Sequence, residues 1–243
     1  MAKTNSKSIG VGVVLAISFF AVLALIFMPV FGAGRDGKPL NGLDYADDLF
    51  NKLSKGSSYF IPKLQKNVQG WAGKPFDAAV TLDKPETAAL AATLFTTAGA
   101  TAGADGARLS VKGDLGAVLA AVLVDADNMY KNDGAAVSGR YGGAKEKAAL
   151  KTWWQAFSAI DKEFKKTGKI EESNAISEVL KKGVETAYNY YGIPAEKVAD
   201  KAVLMTAVLV FYLVYTLWWG FAIFYIFDGI GLTMTKAKVK KEA

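Results

Sequence analysis

The sequence predicts a mainly α protein: two transmembrane helices flanking a largely helical extracytoplasmic domain, with two short β-strands in that domain. Three observations carry this. Residues 9–31 and 202–227 are uncharged apolar runs of 23 and 26 residues, and a helix needs roughly 20 apolar residues to cross a bilayer. The stretch between them repeats apolar residues at helical spacing, punctuated by glycine, proline and aspartate. Residues 79–82 and 109–111 depart from that spacing and read as strands.

Composition narrows the chemistry. The chain has 243 residues with no cysteine and no histidine. That excludes disulfides, thiol nucleophiles, zinc fingers, cysteine-held clusters, histidine-ligated haem and histidine triads. Carboxylate, lysine, tyrosine and hydroxyl chemistry is left. The net charge of +6 is unevenly placed: residues 32–201 hold 23 Lys/Arg against 21 Asp/Glu. The excess lies largely in the tails, in Lys3 and Lys7 and in Lys236, Lys238, Lys240 and Lys241 opposed by Asp228 and Glu242. Tail charge of this kind orients a protein in a membrane. A nucleic-acid binder would cluster its basic residues in the folded domain, whereas Arg35, Arg108 and Arg140 are far apart. No nucleic-acid partner is expected.

The expected organisation is a cytoplasmic tail (1–8), a first span (9–31), a domain (32–201), a second span (202–227) and a lysine-rich cytoplasmic tail (228–243). The first run exceeds the 7–15-residue core of a cleavable signal peptide and reads as an uncleaved signal anchor. Val30-Phe31-Gly32 is a passable cleavage site, so cleavage stays open. Two spans put both termini on one side. The lysine asymmetry places them in the cytoplasm of a cell (inner) membrane with the domain outside; the inverse orientation is the alternative.

The elements follow in order. Residues 35–42 form a turn-rich linker. Leu43, Ala46, Leu49, Phe50 and Leu53 mark an amphipathic helix whose wet face carries Asp44, Asp47 and Asp48. Residues 59–61 read as extended before Pro62, with a helical turn or two up to Gly70. Asp83 and Glu86 form a capping-box pattern for a helix running to Thr97. Asp114 caps a helix from Leu115 to about Met129, apolar all round over residues 115–124 and so expected at the domain's centre. Asp105-Gly106-Ala107 recurs as Asp133-Gly134-Ala135, which leaves a duplicated strand–turn–helix unit open against the commonness of such turns. Residues 136–143 read as a glycine-rich loop. A helix over 144–166 carries Leu150, Trp153, Trp154, Phe157, Ile160 and Phe164, and a second over 171–191 stops at Gly192. Pro194 opens a helix expected to continue without a break into the last span.

Candidate sites are few. Residues 139–145 lack the glycine and hydroxyl residues that a phosphate loop needs around its lysine; Arg140 at most holds an anion at the next helix start. Asp125, Asp127, Asn128 and Asp133 resemble a calcium loop only in part, since Met129 stands where an oxygen ligand belongs. A solvated acidic turn is the plainer reading. Trp153 and Trp154 with Tyr188, Tyr190 and Tyr191 form either core or a ligand pocket. No metal or cofactor is expected. Asp228 is either an intramembrane charge or an interfacial one. Gly12 with Ala16, and Thr216 with Gly220, have the small-residue spacing that lets helices approach. Tyr215, Trp218 and Trp219 lie deeper than an interfacial aromatic belt and suggest packing against protein.

The expected function is a non-enzymatic, membrane-anchored accessory or scaffolding subunit of a larger membrane complex. Its expected partners are the lipid bilayer and other transmembrane subunits or a second copy. The alternative is an extracytoplasmic ligand-sensing module that signals through a partner, because too few residues follow the last span for a signalling domain.

Overall fold

The computed structural model describes residues 5–232. Lys3, the lysines at 236–241 and the orientation drawn from them lie outside the described residues. The chain divides into two compact units, one of Met1–Phe50 with Lys197–Ala243 and one of Asn51–Glu196. The molecule is mainly α, with a small three-stranded sheet.

In the first unit, α1 (Ser6–Phe27) and α10 (Ala202–Gly229) pack antiparallel, and both are long and apolar enough to cross a membrane. Asn5 caps α1 by accepting from the Ser8 N–H at 3.4 Å. The helix starts three residues earlier than the apolar run and stops four residues short of its end. Met28 is extended because Pro29 follows it, and Pro29 has no N–H with which to continue a helix. α2 (Gly42–Ser57) starts on Asn41, whose side-chain oxygen accepts from Leu43 and Asp44, each at 2.9 Å. The division between the units falls inside α2.

The second unit runs α3 (Ile61–Val68), β1 (Pro75–Thr81), α4 (Pro85–Thr97), β2 (Thr101–Asp105), β3 (Arg108–Asp114), α5 (Leu115–Tyr130), α6 (Gly134–Arg140), α7 (Glu146–Lys166), α8 (Ile170–Val179) and α9 (Glu185–Tyr190). The sheet order is β1-β3-β2, antiparallel throughout. α5 is the buried axis that its composition predicts: Val118, Leu119, Val122, Leu123, Ala126 and Met129 are all sealed from solvent.

Several expectations are corrected. The sheet has three strands rather than two, because residues 101–105 (TAGAD) are held by a tight turn at Gly106 (φ 55°) and carry no alternating apolar signal. α4 has no side-chain cap; Pro85 opens it and Asp83 instead accepts from Gln155 Nε2 at 3.3 Å. Ile61 begins α3 and is not extended. The two Asp-Gly-Ala tripeptides do unlike jobs, a hairpin turn at 106 and the N-cap of α6 at Asp133, so they do not mark a structural repeat. The expected loop at 136–143 is largely α6. The helix over 171–191 contains a π turn at Leu180–Val184.

The last correction concerns the approach to α10. Lys197 is extended (ψ 134°), Val198–Lys201 is a 3-10 turn, and only then does α10 begin. The Ile193 carbonyl would accept the Lys197 N–H in a continuous helix. It is taken instead by Lys55 Nζ at 2.6 Å and Asn132 Nδ2 at 3.1 Å, and the Glu196 N–H donates to the Lys52 carbonyl at 3.1 Å. Lys55 is 1% exposed. Its ammonium also reaches Asn132 Oδ1 at 3.0 Å and the Tyr190 carbonyl at 3.1 Å, and lies 5.0 Å from the Tyr130 ring centre. The Tyr130 hydroxyl donates to the Lys55 carbonyl. Burial, with Tyr190 and Tyr59 nearby, pushes that phenol up to about 12, so it stays a donor at neutral pH.

Asn132 is the hinge of this knot. It is the one non-glycine residue with positive φ (65°) among the described residues, and its side-chain oxygen also accepts from the Gly192 N–H at 2.7 Å. Replacing it with alanine adds left-handed strain and strips three hydrogen bonds. We expect Asn132→Ala to lose about 2–4 kcal/mol of stability in chemical denaturation, and Asn132→Gly to lose less because glycine tolerates the conformation.

Candidate functional site

The seam between α1 and α10 is built from small and aromatic residues. A Cβ added at Gly12 would stand 2.7 Å from the Ile226 backbone nitrogen and 2.9 Å from the Ala222 carbonyl. Gly229 meets Ile9 in the same way one turn nearer the start of α1, where the Asn5 N–H donates to the Gly229 carbonyl at 2.9 Å. Toward the middle, Phe19 stacks on Tyr215 with ring centres 4.2 Å apart and lies 4.7 Å from Trp219. The Tyr215 hydroxyl donates to the Phe19 carbonyl at 3.3 Å.

Of the packing candidates, the structure brings Gly12, Tyr215 and Trp219 into this seam and half-buries Ala16. Thr216 and Gly220 are not in it: both are exposed, and a Cβ at Gly220 would meet nothing within 4 Å. The Thr216 hydroxyl donates to the Tyr212 carbonyl of its own helix at 2.8 Å. Trp218 is half-buried and lines an apolar groove of about 480 Å³ with Leu15, Leu217, Phe221 and Tyr225. Among the described residues its indole N–H is buried without a hydrogen-bond partner. Asp228 is half-buried in the last turn of α10.

Arg140 does not stand at an open anion site. Its guanidinium pairs with the carboxylate of Asp125, which is wholly buried on α5. Asp125 also accepts from the Tyr141 hydroxyl and from Trp153 Nε1 at 2.8 Å. Residue 125 is therefore a core anchor, not part of a solvated acidic turn, and it joins α5, α6 and α7. Burial pushes this carboxyl above the usual aspartate range, and the donors Tyr141, Trp153 and Arg140 offset only part of that. Asp127 is half-buried at the edge of α5, bonded to Tyr59 Oη and Lys131 Nζ, each at 2.6 Å. Among the described residues no group of three or more carboxylates is placed to hold a metal ion.

A second buried carboxylate is not among the sequence candidates. Asp161 on α7 accepts from Ser173 Oγ at 2.5 Å and Ser177 Oγ at 3.2 Å on α8, and from Lys165 Nζ at 2.6 Å. The i, i+4 spacing to Lys165 and a serine pair on the next helix were the available signals. Burial alone would raise this carboxyl; Lys165 and the two serines outweigh it and hold it below its ordinary value.

The aromatic residues divide. Trp153 is core, packed edge-on to Phe95 with ring centres 4.9 Å apart. Trp154 and Tyr188 are 41% and 36% exposed and wall a groove of about 290 Å³ with Lys151, Glu185 and Asn189. Trp154 Nε1 donates to Glu185 Oε1 at 2.8 Å. Lys147 Nζ lies 5.7 Å from the ring centres of both Tyr188 and Tyr191. The π turn at Leu180–Val184 immediately precedes Glu185 and sets which face of α9 meets α7; such turns recur at functional sites.

No family model, no curated protein and no solved structure matches the chain.

Two outcomes are expected. Gly12→Val should weaken the α1–α10 pair by about 1–3 kcal/mol, read as a lower melting temperature in detergent, because the added carbons meet the α10 backbone at Ile226 and Ala222; Gly220→Val should leave it unchanged. For Asp161, the folded value is depressed, so its stabilisation is present above the ordinary aspartate value and is lost as pH falls through and below about 4. The melting temperature of Asp161→Asn should therefore lie below wild type at pH 7 and converge on it at acid pH.

Proposed function

We propose that the chain is a membrane-anchored accessory or scaffolding subunit that binds other transmembrane helices through α10. The observation that carries this is the uneven use of α10. α1 covers the side bearing Tyr215, Ala222 and Gly229, while Thr216 and Gly220 lie open on the helix and Trp218 keeps an unpartnered N–H at an apolar groove. Small residues let a second helix approach closely in lipid, where apolar contact alone gives little drive for association. About 39 Å of helix separates Ala202 from Asp228, more than the roughly 30 Å hydrocarbon layer. That supports an interfacial place for the carboxylate. The tail lysines support an orientation with both termini in the cytoplasm and the second unit outside.

The groove at Trp154 and Tyr188 favours a second reading, a ligand-sensing module whose output passes through a partner.

One experiment separates them. Wild type and Gly220→Val are purified in mild detergent and compared by mass spectrometry of co-purifying membrane proteins. The accessory-subunit reading expects stable partners with wild type and their loss with Gly220→Val while the melting temperature holds. A wild-type chain that runs alone as a monomer sinks it. A ligand-dependent rise in melting temperature that Trp154→Ala abolishes, without partners, supports the sensor.

A further inference from the structure

Backbone bonding fixes which groups of β2 point away from the sheet. The Leu82 N–H donates to the Ala107 carbonyl and the Leu115 N–H to the Lys74 carbonyl, both at 2.9 Å and both in line with the β1–β3 register. In an antiparallel ladder, alternate residues bond the same neighbour. The odd-numbered residues of β3 therefore bond β1. Arg108, Ser110 and Lys112 bond β2, through Asp105, Gly103 and Thr101 opposite them. That leaves the N–H and C=O groups of Ala102 and Ala104 directed outward. Among the described residues no hydrogen bond takes them.

The far side of β2 is open. α4 packs against both β2 and β3, which places it over one face of the sheet and not beyond the edge. Thr101, Gly103, Ala104 and Asp105 are exposed, and a Cβ added at Gly103 would meet nothing within 4 Å. Edge strands are commonly guarded by lysine, proline or a bulge. β2 reads Thr-Ala-Gly-Ala-Asp, pairs with β3 residue for residue, and carries its one charge at the turn end. From Ala89 onward the exposed residues of α4 are Ala89, Thr93, Thr96 and Thr97, so α4 offers no bulky side chain to keep a neighbour away.

This edge matches itself. When a second β2 runs antiparallel with Gly103 opposite Gly103, Ala102 of each copy faces Ala104 of the other. Both are then hydrogen-bonded pairs, and every outward group of both copies is used. Gly103 falls on the two-fold axis in a non-bonded pair, where Cα atoms come closest, about 4.5 Å apart. Thr101 falls opposite Asp105, a hydroxyl beside a carboxylate, and no like charges are directly opposed. A slide of one residue sets outward groups against groups that face β3. A slide of two puts either Ala104 opposite Ala100, whose N–H is already given to the Phe95 carbonyl at 3.0 Å, or Ala102 opposite Gly106 in the turn (φ 55°).

We propose that a second copy of this chain occupies the β2 edge, joining two three-stranded sheets into one of six strands about a two-fold axis at Gly103. Such an isologous contact closes on itself. α7 stands against β1 at each outer edge of the joined sheet. The proposal goes beyond the reading of α10 as a helix-binding surface, since it concerns the second unit alone.

The chain has no cysteine, so single introduced cysteines report the pairing directly. The full chain in mild detergent carries Gly103→Cys, Thr101→Cys, Asp105→Cys or Ser110→Cys, is oxidised when dilute, and is run on a denaturing gel. Gly103 has no positive φ and stands in open space, so cysteine fits there. Gly103→Cys should cross-link to a dimer, because a non-bonded pair lies within disulfide reach. Thr101→Cys and Asp105→Cys should each cross-link at least about tenfold less alone than when mixed, since each faces the other and not itself. Ser110→Cys, one strand farther in, should stay monomeric. Adding Ala104→Pro to Gly103→Cys removes an outward N–H without touching a β2–β3 bond, and should cut the cross-link about tenfold. If that variant misfolds, the mixed pair decides the register. A Gly103→Cys cross-link that persists with Gly220→Val assigns the contact to the sheet; its loss there overturns the proposal. No cross-link at Gly103, or equal cross-linking of all four variants, overturns it too. So does a Gly103→Cys chain that links to Thr101→Cys or Asp105→Cys but not to itself. A chain that holds helix partners yet never pairs with its own copy overturns this proposal and leaves the reading of α10 intact.

Discussion

The second unit depends on one carboxylate taken fully out of water. Asp125 sits in the middle of the most apolar helix of the domain, where an unpaired charge would be intolerable. Its presence there dictates what must surround it. Arg140 ends α6, Tyr141 follows it, and Trp153 projects from α7, so three donors from two neighbouring elements converge on one acceptor group. Desolvating the ions costs much of what their attraction returns, but removing one partner leaves the other stranded. The cluster thus acts less as a source of stability than as a constraint that fixes how α5, α6 and α7 meet. Asp161 repeats the device between α7 and α8 with two serine hydroxyls and one lysine.

Sequence alone exposed those parts of the fold that obey a single period. α5 was legible because residues 115–124 are apolar on every side, and α7 because its stripe recurs every third or fourth residue. What escaped it were features set by partners distant in sequence. Lys55 looks like a surface residue of α2, and only Asn132, Tyr190 and Ile193 make it a buried tie. The same knot consumes the carbonyl that a helix through Pro194 would have needed. Residues 101–105 became a strand through their turn and their neighbour, not through any β-favouring side chains. α6 was missed because small residues are permissive in loops and helices alike, although Asp133 was available as its cap.

The two long apolar helices, α1 and α10, show a different limit. α10 is apolar all round, so spacing can find small residues but cannot tell which face will be chosen. Thr216 with Gly220 and Gly12 with Ala16 looked like equal candidates. The seam took Gly12, because Ile226 and Ala222 lie opposite it and Phe19 fills the gap beside Tyr215 and Trp219. Thr216 and Gly220 are left uncovered on the outer face of α10.

The π turn at Leu180–Val184 changes how the neighbouring surface should be thought of. It amounts to one surplus residue, and each residue of an α-helix advances the face by about 100°. Thr186 Oγ1 bonds the Lys181 carbonyl five residues back, and Gly183 lets Leu123 and Leu64 close on the widened turn. Everything after it, including Glu185 and Tyr188, is rotated relative to an uninterrupted helix. The shape of that surface is thus carried by chain length as much as by side-chain identity. A lineage could acquire or erase it in one insertion or deletion, with every aromatic residue left in place.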